Sequence, residues 1–412
     1  MILSEKVVEQ SVNRTDRARF VKELVMVDGP APLAMVRKRA HAARGETGGS
    51  LGPLLLIHGY GQNRYAWHLP LRSLSGFLAR VGYDVFNLDL RGHGRSAHLG
   101  ASRPSTTADY VREDVPAAVA KIQEICGPRP VFLVGHSLGG LVSYAAAPAL
   151  GSAVAGVVAI GSPYHFTQGL RGMERLGNLV HLLESRVDAL RGDLALDHRL
   201  FGELVRNFRM FVDSPLYPLP FRGYDPANIE PDVLAQHMAL AMDAGSIRVA
   251  RQMFQEARSR GGRSDVPGGI EGFGEAFERM RDTPLLVIAG SKDDLAAPEG
   301  VKTAHDRSQA RDKTYRCVPA GHIDLLVGHE APLTTWAILE AWLGQRSPER
   351  RALSPRPPSP DLAEEGLQRF ACRFLSRTEA RRGNGTGLQP GPPCASGTLA
   401  PAGVLGNNGA PP

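Results

Sequence analysis

Cysteine is scarce in this 412-residue chain: four residues, Cys126, Cys317, Cys372 and Cys394, none in C-x-x-C spacing. That scarcity argues against a disulfide framework and against a structural zinc site. Long apolar runs are missing too. The longest, Ala153 to Ile160, is far short of the roughly 20 residues a transmembrane helix takes. Met1 to Val21 mixes Glu, Lys, Arg and Asp with short apolar stretches. No secretory signal is read there, and a cytoplasmic protein is expected. Lysine is rare, seven of the 48 basic residues, the other 41 being arginine. The net charge is +6, yet the cations are scattered and no dense basic stretch interleaves with aromatics. Nucleic acid is therefore not an expected partner. No internal repeat or coiled-coil heptad is found. What remains is an ordinary globular composition, 42% hydrophobic and 22% charged, at a length suited to one large domain with an insertion or two modest ones.

Residues 1–24 read as an N-terminal extension. Val25–Val27, the turn Asp28-Gly29-Pro30 and Leu33–Val36 read as strand, turn, strand. From residue 54 the rhythm becomes strand, helix, strand. Leu54–Ile57, Asp84–Leu90, Pro130–Val134, Val154–Ile160 and Pro284–Ala289 are apolar runs of strand length, and Thr314–Val318 follows as a last strand. Between them, Leu71–Val81, Asp109–Ile125 and Leu141–Leu150 suit helices. Buried runs alternating with amphipathic segments predict an α/β architecture, a mostly parallel sheet covered by helices on both faces. About 120 residues without a convincing strand separate Val154–Ile160 from Pro284–Ala289. Leu176–Leu190 and Pro231–Ala257 carry helical periodicity within that gap, which predicts a helical cap over the strand ends at roughly 165–283. The domain body is set at 25–345. Residues 346–412, rich in Pro, Gly, Ser, Ala and Arg, are read as a disordered tail, with a transient helix over Asp361–Arg377.

The chemistry gathers where strands end. Gly135-His136-Ser137-Leu138-Gly139 fits G-x-S-x-G, directly after an apolar strand and before a helix. A serine on so sharp a turn projects its hydroxyl clear of the sheet, and glycines two positions away let strand and helix pass closely. The following helix aims its N-terminal amides at developing negative charge. A tetrahedral intermediate needs two such donors. The Leu138 amide is one candidate, and the Tyr60 amide, in His58-Gly59-Tyr60-Gly61 after Leu54–Ile57, is the other. His58 and Gly59 are read as loop-ordering residues.

A serine hydroxyl needs an imidazole base, and that base needs a carboxylate. Three histidines fall late in the body: His305, His322 and His329. His322 is preferred because it opens a glycine-led loop, Gly321-His322-Ile323-Asp324, after a strand. For the acid, counting three residues on from Gly290 selects Asp293, and counting four back from Pro298 selects Asp294. Asp293 is preferred, since a strand end fixes direction more tightly than a downstream proline. Asp89 and Asp324 are assigned to surface or loop hydrogen bonding.

Leu54–Gly61, the Asp89–Ser96 stretch (Asp-Leu-Arg-Gly-His-Gly-Arg-Ser), the Ser137 turn and the Asp293 and His322 loops together resemble the α/β-hydrolase family over residues 25–345. The resemblance implies that Asp89–Ser96 is a structural turn, so His93 and Ser96 are not assigned to catalysis. The later loops look like those of acid lipases and of polyhydroxyalkanoate synthase-like hydrolases. Those synthases carry Cys at the nucleophile, and haloalkane dehalogenases and epoxide hydrolases of this fold carry Asp, whereas this chain has Ser137. The expectation is a cofactor-free, metal-free serine hydrolase acting on a small carboxylic ester with an apolar acyl portion. A thioesterase or acyltransferase using the same residues is the alternative, and a non-catalytic binding protein is the rival from another class.

Overall fold

The computed structural model describes residues 1–41, 50–164, 195–207, 209–214, 222–258 and 273–347, all within one unit of the chain. The first 40 residues form an antiparallel meander: β1 (Ile2–Asn13) pairs with β2 (Asp16–Val27), and β2 with β3 (Leu33–Ala40). Residues 1–24, read above as an extension, are therefore two strands of the main sheet. β1 is an edge strand with one buried apolar residue, Val12, so its sequence is mostly polar and carries little burial signal.

After β3 the chain builds a parallel array. β4 (Pro53–Ile57) leads through α1 (Leu74–Val81) to β5 (Asp84–Asp89). α1 starts where the Ser73 side chain accepts from the Gly76 amide at 2.8 Å and stops at Gly82, whose φ of 117° suits glycine. The segment expected as one helix over Asp109–Ile125 has a π-helical turn at Tyr110–Asp114 before α2 (Val115–Cys126). Then come β6 (Val131–His136), α3 (Leu138–Leu150) and β7 (Val154–Ile160).

The cap follows. Its described part has β8 (Ala195–Asp197), α4 (His198–Asn207), α5 (Pro231–Leu240), β9 (Ala244–Ser246) and α6 (Ile247–Arg258). The single helical stretch expected over Pro231–Ala257 is thus broken by β9, which pairs antiparallel with β8. Three-residue strands are too short to leave a period-2 signature. The helix expected at Leu176–Leu190 lies outside the described residues. β10 (Leu285–Gly290), α7 (Pro298–Arg307), β11 (Lys313–Val318) and α8 (Thr335–Arg346) close the body. Ser347 is buried and its Oγ lies 3.0 Å from the Tyr83 hydroxyl, so the body runs two residues beyond the expected boundary at 345. Residues 348–412 lie outside the described residues.

The main sheet has nine strands in the order β1-β2-β3-β5-β4-β6-β7-β10-β11. The six from β5 to β11 in that order run parallel. Their continuous apolar runs follow from burial on both faces. Leu55 and Ile57 enter one buried cluster with α2 and α3, while Leu54 and Leu56 enter the other with α1 and α8. Each such side chain contributes about 1.5–3 kcal/mol by leaving water. No described helix is long and apolar enough to cross a membrane.

Candidate active site

The preferred site residues sit on loops after β4, β6, β10 and β11, at the carboxyl ends of parallel strands. Ligands of open α/β sheets bind at that end. Ser137 has φ 53° and ψ −121°, and no other non-glycine residue among those described has a positive φ. Such a conformation costs about 1–3 kcal/mol and persists only where surrounding structure enforces it. Here Ser137 N–H donates to the Ile160 carbonyl at 3.0 Å. A side chain on Gly135 would run into the Gly139 carbonyl, and one on Gly139 into the Ile57 carbonyl, so the turn closes only with glycine at both places. Leu138 is the first residue of α3, where helix amides have no partner within the helix.

Asp293 and His322 meet directly. His322 Nδ1 lies 2.7 Å from Asp293 Oδ2, with side-chain exposures of 7% and 0%. The other oxygen, Oδ1, accepts from the amides of Leu295 (2.9 Å) and Ala296 (2.7 Å), which fixes the carboxylate plane. Burial pulls the His322 pKa down, but the Asp293 charge and hydrogen bond outweigh it, and the net shift is upward. Asp294 faces elsewhere: its oxygens accept from the Arg222 (2.6 Å) and Gly223 (2.9 Å) amides, anchoring the cap chain between α4 and α5. A side chain on Gly161, the residue after Ile160, would stand 3.3 Å from Asp293 Oδ2 and 3.4 Å from His322 Nδ1. The end of β7 therefore touches both the serine turn and the Asp–His pair. His136, immediately before Ser137, has its ring centroid 4.6 Å from that of His322, and its Nε2 lies 3.1 Å from the His322 carbonyl.

The loop after β4 lies against the serine. A Cβ on Gly59 would stand 3.1 Å from Ser137 Cβ. His58 is fully buried; Nδ1 lies 2.9 Å from the Gly59 carbonyl and Nε2 accepts from the Leu90 amide at 3.1 Å. Burial lowers its pKa, which keeps the ring neutral and able to hold that arrangement. Tyr60 sends its hydroxyl to the Ser246 carbonyl (2.9 Å), on β9 of the cap. Further along, Asn63 N–H donates to Ala241 O (3.0 Å), Asp243 N–H to Gly61 O (2.8 Å), and Gln62 bridges Met242 as an isolated antiparallel pair. The cap segment from α5 to β9 is stitched onto this loop.

The other candidates stay apart from the serine. His305, on α7, bonds Asp306 at 3.1 Å, and the half-exposed His329 bonds Glu330 at 3.1 Å. His93 Nε2 lies 3.3 Å from the Tyr110 hydroxyl. Ser96 Oγ donates to the Asp89 carbonyl and accepts from the Ala34 amide at 2.9 Å. Asp89 accepts from the Arg64 (2.8 Å) and Arg95 (2.9 Å) amides. Asp324 is buried and accepts from the amides of Gly321 (2.8 Å) and Asp225 (3.0 Å) and from Asn228 Nδ2 (2.7 Å), holding the His322 loop from behind. Three residues beside the site escaped sequence reasoning: Gly161, Gln62 and His237. Gln62 follows the His58–Gly61 stretch closely enough to have been considered. His237, deep in the cap, had no local signal.

A serine on a strained strand-to-helix turn, a buried Asp–His pair and a histidine–glycine loop at one end of a parallel sheet define the hydrolase-type class of α/β proteins. The alpha/beta hydrolase fold model matches residues 52–329, and the chain belongs to that family. Among curated relatives, epoxide hydrolase B of Mycobacterium tuberculosis is 30% identical over 127 residues, 31% of this chain and 33% of the relative. The pimeloyl-[acyl-carrier protein] methyl ester esterase of Aliivibrio fischeri is 31% identical over 161 residues, 39% of this chain and 54% of the relative. The chain thus spans only about a third to a half of these relatives' lengths. A crystallised soluble variant of monoglyceride lipase from Saccharomyces cerevisiae has the same fold, with a TM-score of 0.52 at 19% identity, covering 79% of this chain and 96% of that one.

Proposed function

We propose that the protein is a serine hydrolase that cleaves a carboxylic ester through a Ser137 acyl-enzyme. The observation that carries this reading is the 2.7 Å His322–Asp293 pair, packed on the same β7 end as the one described non-glycine residue of positive φ, Ser137. Because Asp293 accepts from His322 Nδ1–H, the other nitrogen, Nε2, is the basic one. It takes the Ser137 Oγ proton as oxygen attacks the ester carbonyl carbon. The amides of Tyr60 and Leu138 hold the resulting oxyanion, each worth about 2.7–4 kcal/mol in the transition state. Collapse breaks the bond to the alkoxide, which leaves with the proton from His322. Water then repeats the sequence on the acyl-enzyme, releasing the carboxylic acid and restoring Ser137.

Asp294 is assigned an anchoring role, since both its oxygens already accept amides of the cap chain between α4 and α5. Serine at position 137 favours the ester reading over epoxide opening, which the resemblance associates with an aspartate nucleophile. The esterase relative and the apolar character expected of the capped pocket favour an ester with an apolar acyl portion. Labelling with a fluorophosphonate probe, followed by peptide mapping, tests the assignment. A modified Ser137 and loss of labelling in Ser137→Ala are expected. A folded wild-type protein that resists the probe would sink the reading.

A further inference from the structure

The residue next to the nucleophile in sequence has no part in the steps above. His136 ends β6 and is fully buried. Its Nε2 lies 3.1 Å from the His322 carbonyl oxygen. A carbonyl only accepts, so the His136 proton that makes this bond is on Nε2. Burial first, and the His322 charge second, hold the His136 pKa well below 6.5, so the ring is neutral. A neutral imidazole protonated at Nε2 leaves Nδ1 bare. That nitrogen is enclosed and has no hydrogen-bond partner among the described residues. The one polar link this ring makes is therefore to the backbone of His322.

That link joins the two residues between which the proton moves. His136 shares a peptide bond with Ser137, and its acceptor is the carbonyl of His322 itself. The Asp293 carboxylate fixes how the His322 ring is turned. The His136 bond fixes where the chain carrying that ring stands. Ring packing supports the same placement. The His136 centroid is 4.6 Å from that of His322, tilted by 46°, and 6.4 Å from that of Trp67, edge to face at 85°. Trp67 is buried at the end of the Arg64–Trp67 turn, in the segment after β4. His136 thus packs against the β4 and β11 sides of the site at once. We propose that His136 is a positioning residue for proton transfer, its Nε2–H setting the reach of the His322 imidazole to Ser137 through the His322 backbone. The inference rests on the ester reading above and deepens its mechanism. Acylation and deacylation both pass a proton through His322. Losing the bond slows both steps alike, which lowers kcat and leaves KM unchanged.

The test is steady-state hydrolysis of p-nitrophenyl butyrate by wild type, His136→Phe and His136→Gln. Phenylalanine keeps a ring against Trp67 and His322 but donates nothing. The glutamine amide nitrogen takes the place of Nε2 and donates without a ring. In His136→Phe, kcat should fall about 10–100-fold at unchanged KM, the cost of a misplaced reacting group. His136→Gln should recover most of that loss. The pH midpoint of kcat/KM should keep its wild-type value in both variants, because the Asp293 pair is untouched. Activity of His136→Phe within twofold of wild type overturns the proposal. So does an equal loss in both variants, which would leave the ring a packing role alone. A midpoint that moves toward 6.5 in His136→Phe overturns it too, since the loop would then have left Asp293. If neither variant folds, nitrogen-15 spectra of histidine-labelled wild type decide. His136, assigned through its contact with Trp67, should carry its proton on Nε2 throughout the pH range of activity; a proton on Nδ1 overturns the proposal. Fluorophosphonate labelling separates this inference from the ester reading. A protein that hydrolyses no ester, yet labels Ser137 more slowly in His136→Phe and faster again in His136→Gln, removes the ester reading and keeps the positioning role. Ester hydrolysis unchanged by either substitution does the reverse.

Discussion

The loops after β6 and β10 and the loop after β4 meet at one site, yet they are held in opposite ways. Around Ser137 and Asp293 much of the restraint is local, joined by the Ser137 N–H bond to the Ile160 carbonyl of the neighbouring strand. Asp293 Oδ1 bonds amides two and three residues on, and the Ser137 turn closes on glycines two residues either side. The β4 loop is held by chain about 180 residues away: Tyr60 to Ser246, Gln62 to His237, Asn63 to Leu240. Short-range restraint needs only the right residues in order. Long-range restraint makes the β4 loop depend on the cap being folded and docked.

The sharpest way to probe this contrast is at the local end. Ser137→Ala should lower ester turnover by about 10⁴–10⁶-fold with no loss of cooperative melting. Activity within tenfold of wild type would separate the strained turn from catalysis. Next, Asp293→Asn should cost about 10³–10⁴-fold in kcat, because the imidazole loses its orienting acceptor. Asp294→Asn should act mainly on stability, through the Arg222 and Gly223 amides. The reverse ranking would exchange the two roles.

His322 gives a pH signature. Its pKa is raised, and the proposed mechanism needs the neutral ring, so kcat/KM should rise with pH through a midpoint above 6.5. A midpoint below 6.5 breaks the assignment of Asp293 as its charged partner.

At the remote end the effects are on stability. His237 titrates at about 4 when folded and near 6.5 when unfolded, so the unfolded state binds more protons between those values. Stability is present above pH 6.5 and is lost as pH falls toward 4, about 3 kcal/mol from this one residue. In His237→Asn, urea melts over that window should show a loss smaller by about this amount. The smallest effect belongs to Tyr60→Phe, which removes one bond between loop and cap, about 1 kcal/mol. A small drop in melting temperature and near-normal turnover are expected; a collapse of kcat would make that single bond the determinant of the β4 loop's position.

The same distinction explains what could be read in advance. Runs such as Leu54–Ile57 and Val131–Val134 announce buried parallel strands because both faces lie in apolar clusters. β1 stayed hidden because an edge strand buries almost nothing. β8 and β9 stayed hidden because three residues make no period. Asp293 and Asp294 were separable only in part, since two counting rules chose different neighbours. The structure gives them different partners, an imidazole for one and two amides of the cap chain between α4 and α5 for the other.

By itself, then, the sequence determined the parallel sheet, the serine turn and the order of the strand-end loops, because each depends on residues within one element and its cap. Tertiary structure alone decided which carboxylate faces His322, what holds the Tyr60 loop, and where His237 comes to rest. Those are contacts between segments far apart in the chain, and spacing along a sequence carries no record of them until the cap and the body have packed.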